Sequence, residues 1–289
     1  MLTRLVPPAL AILWGFNWPA VKIGLSEVPP FALRAFGLGA GAVLLALVAW
    51  GLGRSMAVPR RSWGPLVIAG VFNIAGFNLA TVFAQLSTST SRAAILTFTT
   101  PLWAVLFARM FLGERLDRLR WAALMVGLLG VAVLAVPIAS GEIRLAGLLF
   151  PMLAAVSWAI GTVYQKAHPI GGDRVSVTAY QLLIAAAVAA LGFALAGEVL
   201  PSRLSAPVIG ALLFHVVGAT AIAYLLWFML LDRSTAGSAA LATFAIPVVG
   251  VLGAMAIVGE RPTPLDYVGF AAILVAAGIA MFAPQPQRT

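Results

Sequence analysis

Trp14, Asn17 and Trp18 interrupt an otherwise apolar run, LWGFNWPAVKIGL at residues 13–25, at spacings of three and four. On a helix those spacings gather two indoles and an amide on one face. Pro19, beside them, has no amide hydrogen and deprives the carbonyl of Gly15 of its helical partner. A free carbonyl in hydrocarbon is costly, so this face is expected to turn inward. Such a wall can stack a flat apolar side chain and hydrogen-bond its polar end. A polar contact between helices, flanked by interfacial tryptophans, would employ the same residues.

The logic recurs at two further prolines: Pro101 releases the carbonyl of Thr97, and Pro247 that of Thr243. In transporters such interruptions lie near a midplane site, where bare carbonyls meet cations and helix amino ends meet anions. A kink closed by the hydroxyls of Thr99 or Thr100 is the plainer alternative. Asn73, Phe77, Thr81 and Gln85 form a stripe at four-residue spacing, with Asn78 beside it. Amides do not face lipid cheaply, so the stripe looks into the protein, toward substrate or toward neighbouring helices. Trp103, two residues past Pro101, and Trp158 extend the aromatic part of the candidate wall.

His215 lies in the middle of an apolar segment. It can serve as proton carrier, as substrate donor, or as a neutral partner for an adjacent helix. At about 100° per residue, Thr220 and Tyr224 fall on a different face from it. Lys22, Lys166 and Arg34 stand near segment ends, where long stems let the charge reach the headgroups. Gly37 and Gly41 read as a close helix contact. The expected wall therefore offers amides, threonines and indoles, and no fixed charge. Neither a metal nor a cofactor is called for, since HExxH, metal-spaced Asp/His clusters and phosphate loops do not occur.

Composition decides which elements hold these residues. The chain is 62% hydrophobic and 9% charged, against roughly 45–50% and 25% in soluble domains. Apolar segments of about 20 residues recur throughout, each able to cross a hydrocarbon core of about 30 Å. The expected fold is an all-α polytopic membrane protein with ten spans, near 5–23, 31–51, 64–85, 91–112, 121–138, 145–164, 175–196, 206–230, 237–258 and 266–283. The first is read as a span and not a cleaved signal, because Trp14, Phe16 and Trp18 stand where small cleavage residues are wanted. Connections are short, so the work falls inside the bilayer. The absence of cysteine excludes disulfides and thiolate metal sites. The net charge of +9 does not point to nucleic acid; twelve of the eighteen Lys and Arg fall on one side of the ten spans, which puts both termini in the cytoplasm.

The chain also repeats. Residues 93–128 align without a gap on 239–274, a constant 146 apart, pairing Thr97 with Thr243, Phe98 with Phe244, Pro101 with Pro247, and Gly113-Glu114-Arg115 with Gly259-Glu260-Arg261. A second match, at 144, pairs Trp14 with Trp158 and Lys22 with Lys166. Each half, 1–138 and 139–289, then holds five spans, and an odd number turns the second copy upside down in the membrane. The loop GERLDRLR carries three arginines on the predicted cytoplasmic side, whereas its partner GERPTPLD carries one outside.

WGFNWPAVKIG in the first span, FALR at 31–34, the Pro101 span closing in LGERL, and TFAIP with VGER at 243–261 resemble the EamA branch of the drug/metabolite transporter superfamily. The resemblance covers nearly the whole chain. It implies ten helices in a five-plus-five inverted repeat around a central cavity that opens to either side in turn. Among its members, the chain resembles bacterial exporters of aromatic and other amino acids. The expected function is broad-range export of neutral amino acids by alternating access across the bacterial inner membrane, as a facilitator, with membrane lipids as surroundings, no enzyme activity and a monomer plausible. All nine carboxylates fall in or beside loops, which speaks against proton coupling through a buried acid. The rivals are a same-fold exporter of a nucleoside, vitamin or cationic drug, and an embedded enzyme using His215 on a lipid.

Overall fold

The computed structural model describes residues 5–113, 116–139, 141, 144–226 and 244–282. All regular structure among them is helical. The helices are α1 (Val6–Gly24), α2 (Pro30–Gly51), α3 (Arg60–Ser87), α4 (Thr90–Phe111), α5 (Arg118–Ala139), α6 (Ala146–Ala167), α7 (Arg174–Ala196), α8 (Ala206–Leu226), α9 (Ile246–Val258) and α10 (Pro264–Phe282). Eight of these are long and apolar enough to cross a bilayer. In α1 the hydropathy is diluted by Asn17 and Lys22, and α9 follows a stretch outside the described residues, where the expected site residue Thr243 lies. Glu114 and Arg115 of the first GER also lie outside them.

The helices are irregular in two ways. The first is an interruption: α4 divides at Phe98–Thr99 into Thr90–Thr97 and Thr100–Phe111, with Pro101 at the second residue of the new helix. The carbonyl of Thr97 is not bare, contrary to one expectation: Thr100 Oγ1 donates to it at 2.7 Å, and Thr99 Oγ1 donates to Leu96 O at 2.7 Å. In α9 the helix starts at Ile246 with Pro247 second, so the repeat places both prolines alike.

The second form is a widened, π-helical stretch, Gly70–Gly76 in α3, Phe214–Ile222 in α8 and Ala254–Val258 in α9. A turn closed by i→i+5 bonds leaves carbonyls to be satisfied by side chains. Ser157 Oγ donates to Phe72 O at 2.7 Å, Asn78 Nδ2 to Ile74 O at 2.9 Å, Thr220 Oγ1 to His215 O at 2.9 Å, and Trp14 Nε1 to Ala219 O at 3.0 Å.

The helices pair in a pattern. α2 packs along α7 and α5 along α10; α1 lies on α8 and α9, and α6 lies on α3 and α4. Advancing every helix by five exchanges the partners, as a two-fold relation between five-helix halves would produce. Close approach at α2 depends on missing side chains. A Cβ on Gly37 would lie 2.5 Å from His215 Nε2, and one on Gly41 would lie 2.3 Å from Thr220 Cγ2.

The two ends of the bundle are tied differently. At the end carrying loops 25–29, 197–205 and 259–263, called the upper end, carboxylates cap helix amino termini across the halves. Glu198 accepts from Phe31 N and Ala32 N of α2, Glu27 from Ser205 N ahead of α8, and Glu260 from Thr90 N and Ser91 N of α4. Arg92 Nε donates to Asp266, and Lys22 Nζ donates to Gln85 O near the carboxyl end of α3. At the lower end, among the described residues, the ties join the α2–α3 loop to α7: Arg54 to Asp173 at 2.8 Å, Ser176 Oγ to Ser55 O and Tyr180 OH to Met56 O.

Candidate functional site

Between the halves lies a cavity of about 360 Å³. Trp14, Asn17 and Trp18 of α1 line it together, as their spacing requires. From α3 come Phe77, Asn78, Thr81 and Gln85, and from α4 come Thr97 and Thr100 beside Pro101. Trp158 of α6, His215 of α8 and Pro247 of α9 also line it. The aromatic walls are braced edge to face, Trp14 against Tyr224 at 5.8 Å and Phe77 against Trp158 at 4.8 Å. An apolar enclosure with a few convergent polar groups is the usual form of a small-molecule site.

Three of the expected residues sit outside this lining. Asn73 faces α6: its Nδ2 donates to Trp158 O at 2.9 Å and Thr162 Oγ1 at 3.1 Å, and its Oδ1 accepts from Gln165 Nε2 at 2.6 Å. Asn73 lies within the wide stretch 70–76 and Phe77 follows it, so the four-residue stripe does not continue through it. Trp103 is tilted against Phe107, ring centroids 6.0 Å apart, one turn further down α4. Pro19 is buried, its ring turned to α9, where a Cβ on Gly253 would approach Cγ to 3.2 Å.

Other residues enter that sequence reasoning left out. Thr220 and Tyr224 share the cavity face with His215, which corrects the assignment to a different face. Residues five apart diverge by about 140° on an α-helix, but an i→i+5 stretch stacks them, and the Thr220 bond to His215 O spans that interval.

The larger correction is Arg34. It does not snorkel: its side chain is buried, Nη2 donates to Thr81 Oγ1 at 3.0 Å, and it borders the cavity. The wall is therefore not free of fixed charge. A signal for this was present, because Arg34, Gly37, Leu38, Gly41 and Leu45 fall on one helical stripe and all are buried. Lys22 is also turned inward, to Gln85 O at 2.6 Å, whereas Lys166 is exposed.

The profile of the EamA-like transporter family matches residues 9–136 and, a second time, 145–282. The chain belongs to the EamA-like transporter family. Among similar proteins are the "Uncharacterized transporter YvbV" of Bacillus subtilis (strain 168), 29% identical over 90% of this chain and 85% of that one, and the "Uncharacterized inner membrane transporter YedA" of Escherichia coli (strain K12), 28% identical over 96% and 92%. A third is the "Probable amino-acid metabolite efflux pump" of Salmonella typhimurium (strain LT2), 27% identical over 97% and 95%. A crystal structure superimposes with a TM-score of 0.66 over 96% of both chains at 23% identity, a likeness of fold. The EamA chain is thus a multi-pass membrane transporter.

Within this EamA protein, His215 is a junction. Its Nδ1 stands 2.7 Å from Asn17 Oδ1, and an amide oxygen there calls for the proton on that nitrogen. The other nitrogen rests against Gly37. A shallower bay of about 560 Å³ opens at the upper end around Arg92, Arg144, Glu260 and Asp266. It is framed by helix ends and loops, and the Glu260 and Asp266 bonds already described consume its carboxylates.

Proposed function

We propose that this transporter exports amino acids, aromatic and other neutral ones, by alternating access and without proton coupling. The observation that carries the reading is the cavity between the two repeats, walled by Trp14, Trp18, Trp158 and Phe77 and edged by amides and hydroxyls. A planar apolar side chain matches such a wall, and the polar head matches its edge. The name of the Salmonella relative agrees with that substrate class.

Alternating access is supported by the two matched repeats and by the cavity between them. The pairing of helices five apart supports an inverted repeat with halves 1–138 and 139–289, and the arginine asymmetry supports both termini in the cytoplasm of a bacterial inner membrane. Among the described residues no carboxylate lines the cavity, which favours a facilitator.

The test is counterflow in proteoliposomes over a panel of amino acids, nucleosides and cationic dyes, with and without a pH difference. Large neutral amino acids are expected to exchange, at a rate the pH difference does not change. A panel in which no amino acid moves defeats the substrate reading. Preference for permanent cations would return the drug-exporter alternative, against which the buried Arg34 charge speaks.

A further inference from the structure

Three arginines among the described residues are nearly out of solvent. Arg92 gives its Nε to Asp266, and Arg120 gives Nη1 to Asp117. Arg34, in the second turn of α2, meets no carboxylate among the described residues. It is 2% exposed, its Nη2 donates to the neutral hydroxyl of Thr81, and Nε and Nη1 have no hydrogen-bond partner among the described residues.

A guanidinium keeps its proton in a protein, and a charge held away from water by neutral neighbours alone is costly. Breaking a buried ion pair destabilises for that reason, since the remaining charge is uncompensated. Arg34 is in that condition while bordering the cavity, where no acidic residue stands among the described lining. The Thr81 bond fixes its plane and leaves donors on two other nitrogens. The complement of such a fork is a planar pair of oxygens bearing negative charge.

We propose that Arg34 receives the carboxylate of the transported molecule, so that the cavity selects acids over amides and amines of the same shape. This rests on the amino-acid reading above and names the residue that recognises the end all amino acids share. The ligand also supplies the counter-charge, so a loaded cavity is stabilised relative to an empty one. Thr81 acts as a positioning residue by holding the guanidinium.

The experiment uses the purified full-length protein, with binding followed by tryptophan fluorescence and by thermal stabilisation. The probes are phenylalanine, phenylpropionate, phenylalaninamide, phenethylamine and phenyl phosphate. Phenylalanine and phenylpropionate are expected to bind, and the amide and amine to bind at least about tenfold more weakly. Arg34→Gln is expected to erase that acid-to-amide ratio, a readout that a packing role alone does not move. Arg34→Lys retains part of it, because the charge survives and the fork does not. If Arg34→Gln does not fold, the wild-type series decides by itself.

Equal binding of acid, amide and amine overturns the proposal, as does a ratio unchanged in Arg34→Gln. Preference for phenyl phosphate overturns the assignment to carboxylate. If no member of the series binds and another solute class does, the amino-acid reading falls. Arg34 then keeps its role if those solutes are carboxylates that stop binding when amidated, and loses it if they are neutral or cationic.

Discussion

His215 shows how a polar residue in a membrane span can be explained by its neighbours. One ring nitrogen meets Asn17 at 2.7 Å and the other lies over Gly37, so the imidazole joins α1, α2 and α8 at mid-depth. Gly37→Ala puts a Cβ 2.5 Å from Nε2 and is expected to cost about 1–3 kcal/mol through overpacking. His215→Ala is expected to cost a similar amount, about 1–3 kcal/mol, by leaving the Asn17 amide short of a partner. Because the two residues touch, the double variant is expected to lose less than the sum. Thermal unfolding in detergent measures all three, and strict additivity would contradict the contact. Asn17, Thr81 and Gln85 were legible because amides and hydroxyls stand out against apolar sequence. Arg34 was not, because a charge one turn from a helix end reads as able to reach water, and only the glycine stripe it shares with Gly37 and Gly41 turns it inward.

The helices owe their function to where they are irregular. Prolines announce one kind of irregularity, and α4 breaks three residues before Pro101. The widened stretches in α3 and α8 carry no proline, and their cue is spread over partners distant in sequence, such as Ser157 for Phe72 O and Trp14 for Ala219 O. That is why the sequence spacing groups Asn73 with Phe77 and sets Thr220 apart from His215. Helix ends are equally specific. Glu260, from the second GER, accepts from Thr90 N, Ser91 N and Ser91 Oγ, capping α4 and tying it to the α9–α10 loop. Glu260→Ala removes that acceptor from buried N–H groups and is expected to cost about 1–3 kcal/mol. Glu260→Gln retains an acceptor but not the charge at the helix amino end, and should fall between. Unfolding midpoints that ranked glutamine below alanine would refute the capping role.

The repeat was legible in the chain because a constant offset of 146 joins Thr97, Pro101 and Gly113 to their counterparts, and the family profile matches both halves. The carboxylate ties at the upper end were not, since Glu27, Glu198 and Glu260 find partners 166 to 178 residues away. Whether the halves are inverted has a direct test. Leu119 and Leu265 are repeat-equivalent, both lie in the first turn after a GER loop, and they are 52% and 37% exposed. The native chain has no cysteine, so Leu119→Cys and Leu265→Cys each introduce a single thiol. In an inverted repeat the two stand in opposite compartments, because five spans separate them. A membrane-impermeant maleimide applied to whole cells is expected to label Leu265→Cys, and to label Leu119→Cys only after the membrane is permeabilised. Labelling of both from one side would make the number of crossings between them even. That outcome removes the two-sided cavity, and with it the alternating mechanism, while leaving the ligand chemistry of Arg34 to be judged by its own binding series.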